Sequence, residues 1–292
     1  YQNLSFYETL QPDLYVYAEQ MKILKSSPDF VISPIKALCE KFASREFFRK
    51  YSLEFKIEDE VDTKKLAQTL INLGFKRTVT VSDIGEFSIR GDIIDIFSLS
   101  DNPVRIELWG DEIVDIRYFS NETQRSIEKI KQVSIQPVYK FLYSDNVLPF
   151  ECEDSGYFEG INVYQSYFND NLVSVFDYLK NYIVVFDEMS EVFSKYELIE
   201  KNFDEQYLEN LKLGLIYELK EKNHFSKDEF YSQVQGLQKV GLNNFLDFIS
   251  DDILDLNSEG FAVNGFENVV KELKKYPDYK IIISTDFPKR VE

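Results

Sequence analysis

One continuous stretch, Gly74–Glu128, carries a pattern that constrains the fold more than any other part of the chain. Within it, Glu86–Arg90 places Phe87 and Ile89 between polar residues, which is the two-residue period of a strand with one wet face. The alternation changes phase at Gly91-Asp92, where a glycine indicates a bulge or a tight bend. The pattern therefore predicts short strands separated by turns.

Two further strands extend this unit. In Val104–Trp109 the apolar side chains alternate with Arg105, Glu107 and Trp109. A turn at Gly110-Asp111 returns the chain, because glycine takes the positive φ that such turns require. The apolar residues of the returning strand are Val114, Ile116 and Tyr118. We predict an antiparallel meander with one buried and one charged face, and we interpret Trp109 as an aromatic residue at its rim.

A family resemblance is carried by three segments: RGDIIDIF (90–97), VRIELWGDEIVDIR (104–117) and TQRSIE (123–128). They resemble the small second domain that the bacterial repair protein UvrB shares with the transcription-repair coupling factors. The resemblance implies that this domain is the docking surface for the repair protein UvrA. Thr123–Ser126 resembles the coupling factors more than UvrB, and Ser98 stands where the family usually has proline.

Four residues are candidate UvrA contacts, and two of them are carried over from the resemblance. Arg77, after the GFK step, and Arg90, before Gly91, match two arginines that face UvrA in the UvrB family. The strand pattern predicts that Glu86 and Ser88 share the wet face with Arg90. Ser88 stands where UvrB has a further arginine that faces UvrA. An arginine suits docking because its guanidinium forms bidentate bonds to a carboxylate. The strand pattern alone leaves an alternative, in which these arginines are solvated charges or charges that protect the sheet edge from pairing.

The sequence on both sides of the meander has the pattern of an α/β domain. Asp29–Ser33 and Tyr182–Phe186 read as apolar strands, and Tyr279–Thr285 has the continuous apolar run of a strand inside a parallel sheet. Amphipathic helices are expected over 19–24, 35–42, 172–179, 192–215 and 266–273. Next to the meander, Asp62-Thr63 is expected to cap a helix that Gly74 ends.

The predicted fold class is α/β, a parallel-sheet domain interrupted by an inserted antiparallel α+β domain. This matches the UvrB-like arrangement, in which domains 1a and 1b are interrupted by domain 2. The expected boundaries are 1–50 for the first part of the α/β domain, 51–131 for the inserted docking domain and 132–292 for the remainder. The segments 139–167 and 225–265 carry no pattern that places them.

An enzymatic site is also weighed, at Asp187 and Glu188. An apolar strand that ends in Asp-Glu has the form of a Walker B motif, in which the aspartate holds Mg²⁺ and the glutamate positions water. The partner motif GxxxxGK[ST], whose backbone amides cradle phosphates, occurs nowhere in these residues. We therefore interpret Asp187 and Glu188 as a degenerate Walker B relic or a helix N-cap.

Composition excludes several classes of function. The formal net charge of −18 argues against a phosphate-binding surface, since duplex affinity comes mainly from lysine and arginine. A single histidine, His224, and two cysteines, Cys39 and Cys152, leave too few ligands for a zinc site. No signal peptide and no apolar run long enough for a bilayer are present, so we expect a cytoplasmic protein without a membrane partner.

The expectation is therefore a UvrB-homology fragment from the N-terminal part of a transcription-repair coupling factor, because the chain opens at Tyr1 without a methionine. The resemblance implies a parent that is an ATP-driven DNA translocase. Its motor, with ATP and Mg²⁺, and its contacts to RNA polymerase and DNA would lie outside these residues. The fragment itself is expected to be a monomer that binds UvrA, with no cofactor and no catalysis. The alternative is a UvrB-like nucleotide-hydrolysing helicase whose P-loop lies upstream of Tyr1, and the upstream sequence would decide.

Overall fold

The computed structural model describes residues 13–26, 28–144, 147–148, 150, 157–158, 160–179 and 181–242, together with the backbone of 280–284. The helices are α1 (Leu14–Ser26), α2 (Ile35–Leu38), α3 (Arg45–Tyr51), α4 (Thr63–Asn72), α5 (Gln165–Phe168), α6 (Val175–Tyr178), α7 (Met189–Lys212) and α8 (Lys227–Gln235), with a 3-10 helix at Ile161–Tyr164. The strands are β1 (Phe30–Ser33), β2 (Phe42–Ala43), β3 (Leu53–Lys56), β4 (Lys76–Arg77), β5 (Glu86–Arg90), β6 (Ile93–Ile96), β7 (Val104–Trp109), β8 (Glu112–Phe119), β9 (Ser126–Ile130), β10 (Gln132–Ile135), β11 (Leu172–Val173), β12 (Tyr182–Asp187), β13 (Lys239–Leu242) and β14 (Lys280–Ser284).

A parallel sheet is built from strands at both ends of the chain. Its order is β1-β14-β12-β13, and every pairing in it is parallel. The predicted strands 29–33, 182–186 and 279–285 are all members of this sheet. Because β1 precedes the meander and the other three strands follow it, the parallel sheet is interrupted in sequence by the antiparallel one. The α/β class is therefore confirmed.

The meander forms a six-stranded sheet of order β4-β5-β6-β7-β8-β9. All of its pairs are antiparallel except β4 with β5. Before and after this sheet, β3 and β10 pair with each other, with Leu53 opposite Ile135. The chain thus enters and leaves this region side by side, which is the geometry that an insertion requires.

Helix α4 lies beside the sheet and has both predicted caps. The Asp62 carboxylate accepts from the amides of Lys64 and Lys65 at 3.0 and 3.1 Å. At the other end, Gly74 has φ of +92°, its amide bonds to Ile71, and the amide of Phe75 bonds to Leu70. These two bonds form a Schellman motif, in which a glycine takes the left-handed conformation that other residues avoid.

The buried side chains fall into two main clusters. One surrounds the parallel sheet and includes Cys39, whose thiol is fully buried. Burial raises the pKa of that thiol to about 12, so the interpretation of Cys39 as a core residue is confirmed. The second cluster joins α4 to the inner face of the meander. Its outer part continues into stacked aromatic rings, Tyr139, Phe141, Tyr157 and Phe168, in the stretch that no sequence pattern placed.

Three local predictions are wrong. The helix expected over 35–42 stops at Leu38, and Phe42 belongs to β2. The helix expected over 172–179 is replaced by β11 and the short α6. Val114 is half-exposed because a β-bulge in β8 shifts the register, so that Ile113 takes the inner position opposite Leu108.

The helix expected over 266–273 and Cys152 lie outside the described residues. Within the described part, no helix combines the length and the apolar character needed to cross a membrane.

Candidate protein-docking face

The outer face of the meander carries a row of ion pairs. At its centre is Asp95, whose side chain is completely buried. Nη2 of Arg90 donates to Oδ2 of Asp95 at 2.7 Å, and Nε and Nη2 of Arg105 donate to Oδ1 and Oδ2 at 2.7 and 2.9 Å. Asp95 therefore accepts a bidentate bond from Arg105 and a third bond from Arg90. We call the six-stranded sheet's surface that carries these residues the charged face.

The row continues across the next two strands through Arg117. Its guanidinium donates to Glu107 and Asp115, and Nζ of Lys129 lies 2.6 Å from Asp115. The bond from Arg117 lowers the pKa of Glu107. Burial tends to raise the pKa of Asp115, but the bonds from Lys129 and Arg117 outweigh it and the pKa is lowered. Both carboxylates consequently stay ionised at neutral pH.

Arg90 has the geometry expected of a partner contact. It lies at the end of β5, and its side chain is 45% exposed although one nitrogen is held by buried Asp95. A half-exposed guanidinium that is anchored at one edge keeps its other donors in solvent and in a fixed position. An anchored arginine loses less side-chain entropy on binding than a mobile one.

Ser88 does not share the exposed part of this face, so that expectation is wrong. Its side chain is buried, and its hydroxyl donates to the carbonyl of Val79 at 3.0 Å. The segment 78–82 crosses the sheet here and covers Ser88. Glu86 helps to hold this segment, because its carboxylate accepts from the amides of Ser82 and Asp83 at 2.8 and 3.1 Å.

Arg77 occupies a different position from Arg90. It lies in the two-residue edge strand β4, is exposed, and stands in register with Phe87. Cross-strand neighbours point to the same side of a sheet, so Arg77 belongs to the side of Phe87 and not to that of Arg90. Arg77 is thus on the strand that leads into the meander, and Arg90 is on the charged face. A partner that touches both would have to cover the β4 edge.

The burial of Ser88 leads to a testable expectation about an arginine at that position. Ser88→Arg would force a long cation under the segment 78–82 and would break the bond to Val79. We expect the free energy of unfolding to fall by about 2–3 kcal/mol, since the overpacking and the unpaired buried charge both destabilise. Urea unfolding measures this, with Ser126→Arg on the exposed strand β9 as a matched control. A Ser88→Arg variant as stable as the parent would contradict the buried position.

The Walker B-like residues are placed at the end of the parallel strand β12. Asp187 is its last residue and is exposed, while Glu188 stands at the N-cap position of α7 with φ of +57°. The Glu188 side chain makes no capping hydrogen bond, although its amide donates to Leu242 at 2.7 Å. Among the described residues no three His, Cys, Asp or Glu side chains are grouped as a metal site would need.

A cleft of about 560 Å³ separates α1 from the meander. It contains Lys22, which is paired with Asp101 at 2.7 Å, and Lys25, which lies 3.7 Å above the Phe48 ring. Burial, together with the charge of Arg45, lowers the pKa of Lys25 to about 7. Its amine already donates to the side chain of Gln136. The cleft therefore offers no converging set of free donors for a ligand.

Comparison with known proteins matches the part of the chain that carries the charged face. Residues 53–141 match the model of the UvrB interaction domain, which spans α4 and the whole six-stranded sheet. The chain is 28% identical to the transcription-repair-coupling factor of Staphylococcus haemolyticus (strain JCSC1435), over 89% of this chain and 22% of the relative. It is a relative of the transcription-repair coupling factors.

Two strains of Staphylococcus aureus provide further coupling-factor relatives. The proteins of strains MRSA252 and bovine RF122 / ET3-1 are each 27% identical, over 86% of this chain and 20% of the relative. The chain thus spans about a fifth of the length of the curated relatives that it matches. The resemblance noted at 90–97, 104–117 and 123–128 is confirmed and extends well beyond those segments.

Sequence reasoning found Arg90 but missed the group that anchors it. Asp95 is the only polar residue in the run Ile93–Ile96, and it lies directly across from Ser88 and Arg105 in the register. An acidic residue directly across from one arginine and diagonal to a second, Arg90, is a detectable signal for an ion pair. Its complete burial was not detectable, because the two-residue period places Asp95 on the solvent side of the sheet.

Proposed function

We propose that this chain is the UvrA-docking module of a transcription-repair coupling factor, and that UvrA binds the charged face and the adjoining β4 edge. In this proposal the module recruits UvrA to stalled RNA polymerase. It contributes binding and no catalysis. The observation that carries the proposal is Arg90, held half-exposed by buried Asp95 within the residues that match the UvrB interaction domain.

Charge supports a carboxylate-bearing partner surface. The ion pairs on the charged face join four cations, Arg90, Arg105, Arg117 and Lys129, to the three carboxylates Asp95, Glu107 and Asp115. Glu86 and Glu112 add two carboxylates at the margins of this face. The whole chain has a net charge of −18. A cluster of cations on a strongly acidic chain orients an acidic partner toward that cluster, because the rest of the chain repels it.

The remaining parts of the proposal concern the parent protein. We propose that the parent is a translocase that uses ATP and Mg²⁺ in motor domains and contacts RNA polymerase and DNA through other domains. Residues 1–50 and 132–292 would form the UvrB-like α/β body, and 51–131 the inserted docking domain. We further propose that the module acts in the cytoplasm as a monomer.

The decisive measurement is the affinity for UvrA of Arg90→Ala and Arg77→Glu variants. We expect each change to weaken binding more than tenfold, because removing one side of a desolvated arginine–carboxylate contact costs about 2–5 kcal/mol. Charge reversal is placed at Arg77, which has no ion-pair partner among the described residues. Charge reversal at Arg90 would place a carboxylate beside Asp95 and would disturb the fold itself.

Arg49→Glu is the matched control, since this arginine of α3 is 81% exposed and lies outside the matched residues. It should bind UvrA like the parent. Thermal melting of every variant separates a lost contact from a lost fold. If Arg77→Glu and Arg90→Ala both keep the parent's affinity, UvrA docks elsewhere and the proposal fails.

A further inference from the structure

Two large apolar side chains stand almost entirely in solvent on the outer side of the meander. Trp109 and Val79 are each 81% exposed, more than the other large apolar residues that the structure describes. Trp109 is the last residue of β7, two positions beyond Glu107 and therefore on the same face. Val79 lies in the segment that covers Ser88 on that face.

Both side chains are carried by a fixed backbone. Beside Trp109, the β7–β8 turn is held by backbone bonds from Val61 to Asp111 and from Glu58 to Ile113, at 2.7 and 2.9 Å. The segment with Val79 is pinned by the Ser88 hydroxyl and by Gln124, whose amide donates to the carbonyl of Val81 at 3.0 Å. An ordered backbone that presents exposed apolar side chains is pre-organised for binding, because binding then costs little backbone conformational entropy.

The two residues flank Arg90. In the register, Arg90 lies opposite Ile93 and Ile93 opposite Glu107, so Arg90 and Glu107 are two strands apart. With strands about 4.8 Å apart and a rise of about 3.3 Å per residue, the Cα atoms of Trp109 and Arg90 are about 12 Å apart. On the other side, Val79 lies over Ser88, two residues before Arg90. The three side chains form one patch.

We infer that Trp109 and Val79 are apolar anchors that enter pockets on UvrA on either side of the carboxylate that binds Arg90. This rests on the proposed docking of UvrA and specifies the surface that UvrA must present: an acidic group between two apolar hollows. Tryptophan and arginine at the centre of a patch are the residue types that dominate binding energy. Exposed apolar groups on a rigid support otherwise promote non-specific association.

Trp109 is the only tryptophan of the chain, so a single probe can report on it. The chain is prepared with 5-hydroxytryptophan, which is excited where the ordinary tryptophans of UvrA do not absorb, and acrylamide quenching is measured during UvrA titration. We expect strong quenching in the free chain and a severalfold loss of quenching at saturation. Unchanged quenching with UvrA bound would overturn the inference. If quenching in the chain without UvrA falls as the chain concentration rises, the anchors serve self-association. That result would also overturn the inference.

Affinity measurements on variants complete the test. Trp109→Ala should weaken UvrA binding by at least about tenfold and Val79→Ser by less, with unchanged melting because both side chains are exposed. Leu213→Ala, at the end of α7 and 65% exposed, is the matched control and should bind normally. If Arg90→Ala weakens binding and Trp109→Ala does not, the anchors are wrong and the docking face stands. If neither variant weakens binding, the docking face itself is wrong.

Discussion

Asp95→Asn is expected to lower the free energy of unfolding by about 3 kcal/mol, the loss typical of breaking a buried ion pair from one side. The asparagine has nearly the same shape, so packing is preserved, but the charge is lost and one acceptor oxygen becomes an NH₂ donor. Arg105, whose side chain is only 14% exposed, would then be left buried without its carboxylate. Arg90 would lose its anchor and move freely in solvent. Urea unfolding of both proteins at neutral pH measures the loss.

The matched control is Asp101→Asn. This carboxylate also pairs at 2.7 Å, with Lys22, but its side chain is 58% exposed and that of Lys22 is 54% exposed. Exposed pairs contribute about 0–1 kcal/mol, so this variant should unfold close to the parent. Equal losses in the two variants would show that burial does not set the strength of the Asp95 contacts. Asp95→Asn should also weaken UvrA binding, because Arg90 would no longer be pre-oriented.

Gly74→Ala is expected to destabilise the chain by about 3 kcal/mol through two separate effects. At φ of +92° an alanine is strained, which costs about 1–3 kcal/mol. A Cβ atom at Gly74 would also lie 2.5 Å from Cδ2 of Tyr139, whose ring is buried and stacked on Tyr157 with centroids 4.8 Å apart. That ring has little room to move, so overpacking adds about 1–3 kcal/mol.

Gly91→Ala separates the two effects. Gly91 has φ of +58°, and a Cβ atom there would meet nothing within 4 Å. Only the backbone strain remains, and the expected loss is about 1 kcal/mol. Urea midpoints of the two variants give the difference. If both alanines cost the same, the contact with the stacked tyrosines carries no weight and strain accounts for the whole effect.

The candidate site was only partly predictable. Arg90 was placed correctly because its strand has a clean two-residue period, which defines the face of every side chain in it. Ser88 obeys the same period and is nevertheless buried, since the segment 78–82 folds over it. The side on which Arg77 lies could not be predicted, because the parallel β4–β5 register is set by pairing and not by a sequence pattern.

Sequence by itself determined the parts of this protein that depend on neighbouring residues. The caps of α4 at Asp62 and Gly74, the turns at Gly91 and Gly110 and the continuous apolar runs of the parallel strands all follow from local conformational preference and hydrophobic period. Tertiary structure alone decided which polar groups are buried and which apolar groups are exposed. The burial of Asp95, the exposure of Val79 and the bulge that turns Val114 outward depend on strand register and on segments distant in sequence. Such contacts arise only when the chain has closed on itself, and a local pattern carries no record of them.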